Sequence, residues 1–122
     1  MKILLPLAIL LCTNVCLAQE DKTYRSISDE LAEKQLKKFM KDLSGTFRYP
    51  PDSRRKGIEG TVKIEFAINP DGTVSDFSVV ESVAPDLDEE ALRALKIVGE
   101  KTSWEKLPGR RWILFPFRFK LG

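Results

Sequence analysis

The 122-residue chain contains no histidine and only two cysteines, and its net charge is +2. Zinc, copper and haem sites draw mainly on histidine and cysteine, and triad nucleophiles need a base, so this composition argues against most metal and nucleophile chemistry. A nearly balanced charge gives no reason to propose nucleic acid as a partner. We therefore expect a single small domain that is not an enzyme and holds no cofactor or metal.

The N-terminus reads as a secretory signal peptide. Residues 1–18 combine one early charge at Lys2, an uncharged apolar run and a small residue at Ala18. The run is shorter than the about 20 residues that a membrane-spanning helix needs. We expect cleavage that leaves Gln19 as the first residue and removes both cysteines, so that packing rather than disulfides holds the fold. The alternative is an uncleaved N-terminus that anchors the protein.

A helix and a short turn are predicted next. From Ser28 to Leu43 apolar residues recur at helical spacing with charges on the other face, which predicts an amphipathic helix that Ser28 caps and Gly45 stops. Tyr49 then precedes two prolines. The first holds Tyr49 extended, and the second is expected to open a helical turn that ends at Gly57.

A β-hairpin follows. Apolar and polar residues alternate over 61–69, which predicts a half-buried strand with these core-facing residues: Val62, Ile64, Phe66 and Ile68. The Pro-Asp-Gly sequence at 70–72 suits a compact hairpin loop. The second strand, 73–81, changes parity partway along. A one-residue bulge near Ser75 and Asp76 is predicted to bring three residues to the core face: Val74, Phe77 and Val79.

The second long helix is predicted to open at Pro85 and Asp86 and to stop at Gly99. Its apolar stripe consists of Leu87, Ala91, Leu95 and Val98. The acidic group at its start favours the helix dipole, and Asp86 and Glu89 are placed for a capping arrangement. We interpret this group as a helix start rather than as a calcium or acid–base site.

The chain closes with a third strand. Arg111 to Leu121 has an unbroken period-two apolar face and contains Pro116, and proline within a strand belongs at a sheet edge because it cannot donate to a ladder. The predicted fold class is α+β. A small three-stranded antiparallel sheet, made of the hairpin and this C-terminal edge strand, is packed by two helices.

The ordered motifs resemble the C-terminal domain of the TonB family. The run "YPPDSRRKGIEGTVKIEFAINPDGTVSDFSVVESVAPDLDEEALRAL" carries the Tyr-Pro start, the glycine before the first strand, the Asp-Gly turn and the Leu-Asp-x-x-Ala helix entry. The tail is similar too, with Trp104, Pro108 and the closing "FPFRFKL". The helix before Tyr49 resembles that of the Bacteroidetes-type variant. The resemblance spans about residues 31 to 121. We therefore divide the chain into the signal peptide at 1–18, an N-terminal segment with its amphipathic helix at 19–46 and a TonB C-terminal-like domain at 47–122.

This resemblance implies a periplasmic module that binds an extended peptide by β-strand addition and supports energised transport across the outer membrane. The peptide would be the TonB box of an outer-membrane TonB-dependent transporter. The last strand would receive it through five edge residues: Trp112, Leu114, Pro116, Arg118 and Lys120. All but the proline are expected to keep their side chains free to set specificity. Tyr49 and Pro50 match the family's receptor contact, with a simple helix-to-turn junction as the alternative.

Two other interpretations stay open. One is a membrane-anchored short energy transducer coupled to the ExbB–ExbD proton-driven motor. Residues 19–46 would struggle to bridge the envelope in that case, because they reach only about 95 Å even when fully extended. The other is a structural or assembly protein that forms a homodimer through its edge strand. Neither the transporter nor its substrate is indicated by the sequence.

Overall fold

The structure, a computed structural model, describes residues 22–122, so the predicted signal peptide lies outside the described residues. Within that range four strands and four helices follow in the order β1 (Tyr24–Arg25), α1 (Ile27–Glu30), α2 (Glu33–Thr46), α3 (Pro51–Arg55), β2 (Gly60–Ile68), β3 (Val74–Glu81), α4 (Pro85–Lys101) and β4 (Arg111–Phe119).

The strands form one mixed sheet in the order β1-β4-β2-β3. β2 is antiparallel to both of its neighbours, and its register with β4 runs without a shift from Gly60 opposite Phe119 to Ile68 opposite Arg111. β1 is parallel to β4. The prediction of a three-stranded, purely antiparallel sheet is therefore wrong. A strand of two residues has no periodicity from which it could have been predicted.

The predicted bulge in β3 is confirmed. Glu65 pairs with Ser78 while Ala67 pairs with Ser75, so β3 carries one extra residue between them, and Asp76 adopts a φ of 57°. The extra residue restores the inward parity of three side chains that pack against the core: Val74, Phe77 and Val79. A second irregularity was not predicted. It lies opposite the step from Lys63 to Ile64.

One core joins the sheet to the long helices. The inward faces of β2 and β4 bury their apolar side chains beneath α2 and α4, and the predicted stripe of α4 is fully buried. Phe39 of α2 makes edge contacts with Phe115 and with Trp104, at ring-centroid distances of 5.9 Å and 6.0 Å. Because Leu31, Phe39 and Leu43 belong to this core, residues 31–46 fold together with the rest of the domain.

The first predicted helix is divided in two. Leu31 and Ala32 are extended between α1 and α2, and Leu31 is buried in the core at 5% exposure. Ser28 is not a cap. The residue before α1 is Ser26, whose backbone N–H donates to Asp29 Oδ2 at 2.9 Å. Burial of Leu31 thus outweighs the helical periodicity that linked the two segments.

Neither predicted glycine stop ends its helix. α2 continues through Gly45 to Thr46, after which the extended Phe47 packs its ring on Phe117 and Phe119. α4 continues through Gly99, where the indole N–H of Trp104 donates to the glycine carbonyl at 2.8 Å. The short turn is as predicted, since α3 begins at Pro51 and Gly57 follows with a φ of 67°.

The acidic residues at the start of α4 accept hydrogen bonds from α3 and from the backbone around the helix start. Asp86 accepts from the Ser53 hydroxyl at 2.7 Å and from the Leu87 N–H at 2.9 Å, and the hydroxyl bond lowers the pKa of Asp86 most. Asp88 accepts from the backbone N–H of Val83 at 3.1 Å. The predicted capping by Asp86 and Glu89 is not formed, because the residue before the helix is Ala84 and it makes no side-chain cap.

Candidate docking edge

β4 has one fully paired side and one partly open side. Its inner side pairs with β2 along the whole strand, whereas β1 pairs on the outer side with Trp112 and Ile113 alone. From Leu114 to Phe119 no strand in the described part of the chain pairs with the outer side. The predicted edge strand is therefore an edge from Leu114 to Phe119, which we call its open half. Only Trp112 and Ile113 lie between two strands.

Pro116 identifies the backbone groups that face this open side. It lies opposite Lys63 in an unshifted antiparallel register. Because proline has no N–H, it must occupy a non-hydrogen-bonded position of the ladder, where its nitrogen points away from β2. Backbone direction alternates along a strand, so Leu114 and Arg118 direct their N–H and C=O groups outward as well. Pro116 offers a carbonyl there but no donor.

The side chains of β4 divide between the two faces of the sheet. The core face carries Ile113, Phe115, Phe117 and Phe119, all buried as predicted. On the other face Pro116, Arg118 and Lys120 are exposed, while Leu114 is half-buried. Trp112 differs from the expectation that its side chain is free. It is only 8% exposed, with Lys22 Nζ 4.1 Å from its ring centroid and the Arg110 guanidinium at 4.6 Å.

An apolar groove runs beside the open half of the edge. Its wall on the helix side consists of Met40, Leu43 and Ser44 of α2 and of Phe47, which follows the helix. Its wall on the sheet side is β4 between Phe115 and Arg118. The groove has a volume of about 250 Å³. Met40 is 47% exposed, which is high for a methionine beside a core. Side chains of a segment paired with β4 would point alternately into this groove and away from it.

The first described residues bind across the outer face of the sheet. Glu65 of β2 accepts hydrogen bonds from Lys22 Nζ at 2.5 Å and from the Tyr24 hydroxyl at 2.7 Å. We call these three residues the N-terminal clasp. Burial acts to raise the pKa of Glu65, but the hydrogen bonds from Lys22 and Tyr24 outweigh it and leave that pKa lowered.

The alternation over 61–69 places Glu65 on the face opposite the predicted core residues, and it did not indicate the clasp. The residue is only 8% exposed in the structure. An isolated acidic residue between Ile64 and Phe66 was the available signal, but its partners lie more than 40 positions away in the chain.

A second polar contact ties the same segment to the start of β4. The Glu30 carboxylate accepts from Arg25 Nε at 2.5 Å and from Arg111 Nε at 2.8 Å. Its side chain is only 3% exposed, so this ion pair is largely removed from water. Arg111 also donates to the carbonyl of Glu105 at 2.7 Å. These bonds hold α1 against the sheet, and no local sequence pattern indicated them.

Tyr49 and Pro50 lie at a structural junction. The Tyr49 hydroxyl donates to the carbonyl of Ile58, and its ring makes an edge contact with Phe119 at 5.5 Å. Burial is the main cause that raises the pKa of Tyr49. Pro50 precedes the first turn of α3. This geometry matches the helix-to-turn alternative, and contact with a receptor stays a prediction.

The described residues, 22–122, contain neither a cluster of metal ligands nor a membrane-spanning helix. In this part of the chain no group of three histidine, cysteine, aspartate or glutamate side chains is arranged to hold a metal ion. No helix between these residues combines the length and apolar character needed to cross a bilayer.

Comparison with known proteins gives the family. The protein-family model described as the Gram-negative bacterial TonB protein C-terminal matches residues 46–121. The chain therefore belongs to the TonB C-terminal family, as its motifs indicated. Protein TonB from two strains of Helicobacter pylori, J99 and 26695, is 44% identical over 62 residues. That match covers 50% of this chain but only 22% of each relative.

Solved structures agree with the fold. An NMR structure of the Helicobacter pylori TonB C-terminal domain superposes with a TM-score of 0.62 at 30% sequence identity, covering 75% of this chain and 85% of that one. A shorter version of the same domain gives a TM-score of 0.58 and covers 73% and 96% of the two chains. The predicted α+β class is thus confirmed, although the number of strands was not.

Proposed function

We propose that this domain binds an extended peptide by strand addition at the outer edge of β4 and so serves a TonB-like role in transport across the outer membrane. The proposed partner is the TonB box of an outer-membrane TonB-dependent transporter. The observation that carries the proposal is the open half of β4, Leu114 to Phe119, which no residue of the described chain faces as a strand partner on the outer side.

The other sheet edge is less suited to this role. β3 contains two irregularities, and at the first of them Asp76 forms an ion pair with Arg110. Bulges and charges interrupt the regular spacing of donors and acceptors that an added strand needs. The open part of β4 keeps an unshifted register with β2 throughout, so its outward carbonyl groups stay evenly spaced.

The surroundings of the edge favour a peptide of mixed character. On the helix side the peptide would meet the apolar groove lined by Met40, Leu43 and Phe47. On the other face it would meet the exposed Arg118 and Lys120. Alternate residues of an added strand point to opposite faces, so we expect a peptide to bind best when it has apolar residues on the groove side and an acidic residue beside Arg118 and Lys120 on the other.

The test is a pair of substitutions at one exposed position. Arg118→Pro removes an outward N–H while the pairing of β4 with β2 is kept. Arg118→Ala removes the charged side chain and keeps the backbone N–H. Calorimetric titration with synthetic transporter-box peptides should show no measurable binding to the proline variant. The alanine variant should lose only about 0–1 kcal/mol, as expected for an exposed charge. Circular dichroism and a urea titration serve as the folding control. Unchanged affinity in a folded proline variant would exclude β4 as the docking edge.

The same open edge also supports self-association as a second candidate, because an unpaired edge accepts any compatible strand. Light scattering across a concentration series separates the two candidates. A homodimer that the Arg118→Pro variant abolishes, together with no binding of box peptides, would favour the assembly role.

Localisation and anchoring are part of the proposal. We infer that residues 1–18 are removed and that the mature chain lies in the periplasm. It would consist of a segment at 19–46 and the TonB-like domain at 47–122. N-terminal sequencing should then return Gln19. A chain that retains Met1 in the membrane fraction would favour the anchored transducer and its coupling to the ExbB–ExbD motor. Tyr49 and Pro50 are proposed as receptor contacts only when the transporter's folded plug is present.

A further inference from the structure

We propose that β1 is an intrachain occupant of the docking edge, which an incoming peptide displaces. The inference deepens the proposed function and rests on it. β1 pairs in parallel with β4, Tyr24 opposite Trp112 and Arg25 opposite Ile113, on the same side of β4 that is open from Leu114 onward. The chain therefore already makes, over two residues, the contact that a strand-adding peptide would make.

The distribution of outward donors explains why displacement is needed. Trp112, Leu114 and Arg118 share the outward parity of Pro116, so the regular donor spacing is intact from Trp112 to Leu114 and is interrupted at Pro116. A peptide confined to the open half meets that interruption at its centre. A peptide that also pairs with Trp112 and Ile113, where β1 now lies, gains the uninterrupted part of the ladder.

Release of β1 would leave the core in place. The segment from Lys22 to Arg25 has mostly exposed side chains, and Tyr24 is 39% exposed. Beyond it, the buried Glu30–Arg111 ion pair and the core residue Leu31 hold α1 on the domain. The structure thus separates a weakly buried strand from a well-anchored helix within a few residues.

The clasp also indicates the chemistry of the incoming peptide. Lys22 and Tyr24 are two positions apart and both donate to Glu65, which displacement would leave without them. A replacing strand covers this carboxylate again, and a buried carboxylate without donors is costly, so that strand should supply a cation or a hydroxyl on the same face. Lys22 also covers the ring of Trp112, so its release increases the exposure of that indole.

The experiment weakens the clasp without removing Glu65. The double variant Lys22→Ala, Tyr24→Phe is compared with the parent chain and with Lys37→Ala, which removes one positive charge from the exposed surface of α2. Each is titrated with synthetic transporter-box peptides. Acrylamide quenching of tryptophan is measured on the free proteins, since Trp104 stays buried and Trp112 reports on β1.

If β1 competes with the peptide, the double variant should bind about three- to tenfold more tightly, because a larger fraction of molecules has an accessible edge. Its tryptophan quenching should also increase, while the control matches the parent in both measurements. Equal or weaker binding by the double variant would overturn the competition and leave the proposed function intact. An absence of binding to parent and variants alike would overturn the proposed function and this inference with it.

Discussion

Replacement of Phe66 by alanine tests the core on which the docking edge depends. Phe66 is fully buried on β2, where its ring stacks on Phe77 at a centroid distance of 5.0 Å and an interplanar angle of 15°. Trp104 lies on another side at 5.9 Å. Removal of a buried phenylalanine side chain costs about 3–5 kcal/mol through lost transfer energy and an unfilled cavity. That is a large part of the about 5–15 kcal/mol that stabilises a typical domain.

The assay is urea denaturation followed by circular dichroism, with a shifted midpoint and an unchanged slope as the expected result. Val80→Ala is the matched control, because Val80 lies on the neighbouring strand and is 50% exposed, so its loss should stay within about 0.5 kcal/mol. A double-mutant cycle of Phe66→Ala with Phe77→Ala should give a coupling of about 0.5–1.5 kcal/mol from the stacked pair. A loss below about 1 kcal/mol for Phe66→Ala would refute the assigned strand parity.

Gly45→Ala should stabilise the domain by about 0.5–1 kcal/mol, because the residue lies inside α2 and an added methyl group meets no atom within 4 Å; a destabilised variant in the urea assay would contradict this. Gly60→Ala should instead cost about 1–3 kcal/mol, since its φ is 154° and the new methyl group would lie 2.9 Å from a Val83 methyl. The pKa of Glu65 is lowered from its ordinary value of 4.5 in the folded state, so its contribution to stability is present above about pH 4.5 and is lost as the pH falls below that value. The free energy of unfolding, measured between pH 3 and pH 7, should therefore depend less on pH at the acid end in Glu65→Gln than in the parent. Identical profiles would show that the hydrogen bonds from Lys22 and Tyr24 contribute nothing to stability.

The core-facing residues of β2, β4 and α4 follow from the sequence alone. β2 and β4 each bury their core-side face along its length, which requires apolar residues at every second position, and that requirement is visible without coordinates. The stripe of α4 is visible for the same reason at helical spacing. Even the bulge in β3 was predictable, because Val74 and Phe77 share the buried face only if one residue between them is extra.

The tertiary structure decided the features that control the edge. β1 has two residues and no period, and it exists because Lys22, Tyr24 and Arg25 find partners on β2 and on α1. The interruption of the first predicted helix likewise follows from the burial of Leu31, and local helix propensity carries no information about that burial.

For Pro116 the sequence determined one property and the tertiary structure determined two others. The sequence indicated that it belongs on an edge, because it has no N–H to donate. Which neighbouring amides share its outward direction depends on its register opposite Lys63, and how much of the edge stays open depends on β1. Both are contacts between residues far apart in the chain, and local periodicity carries no information about them.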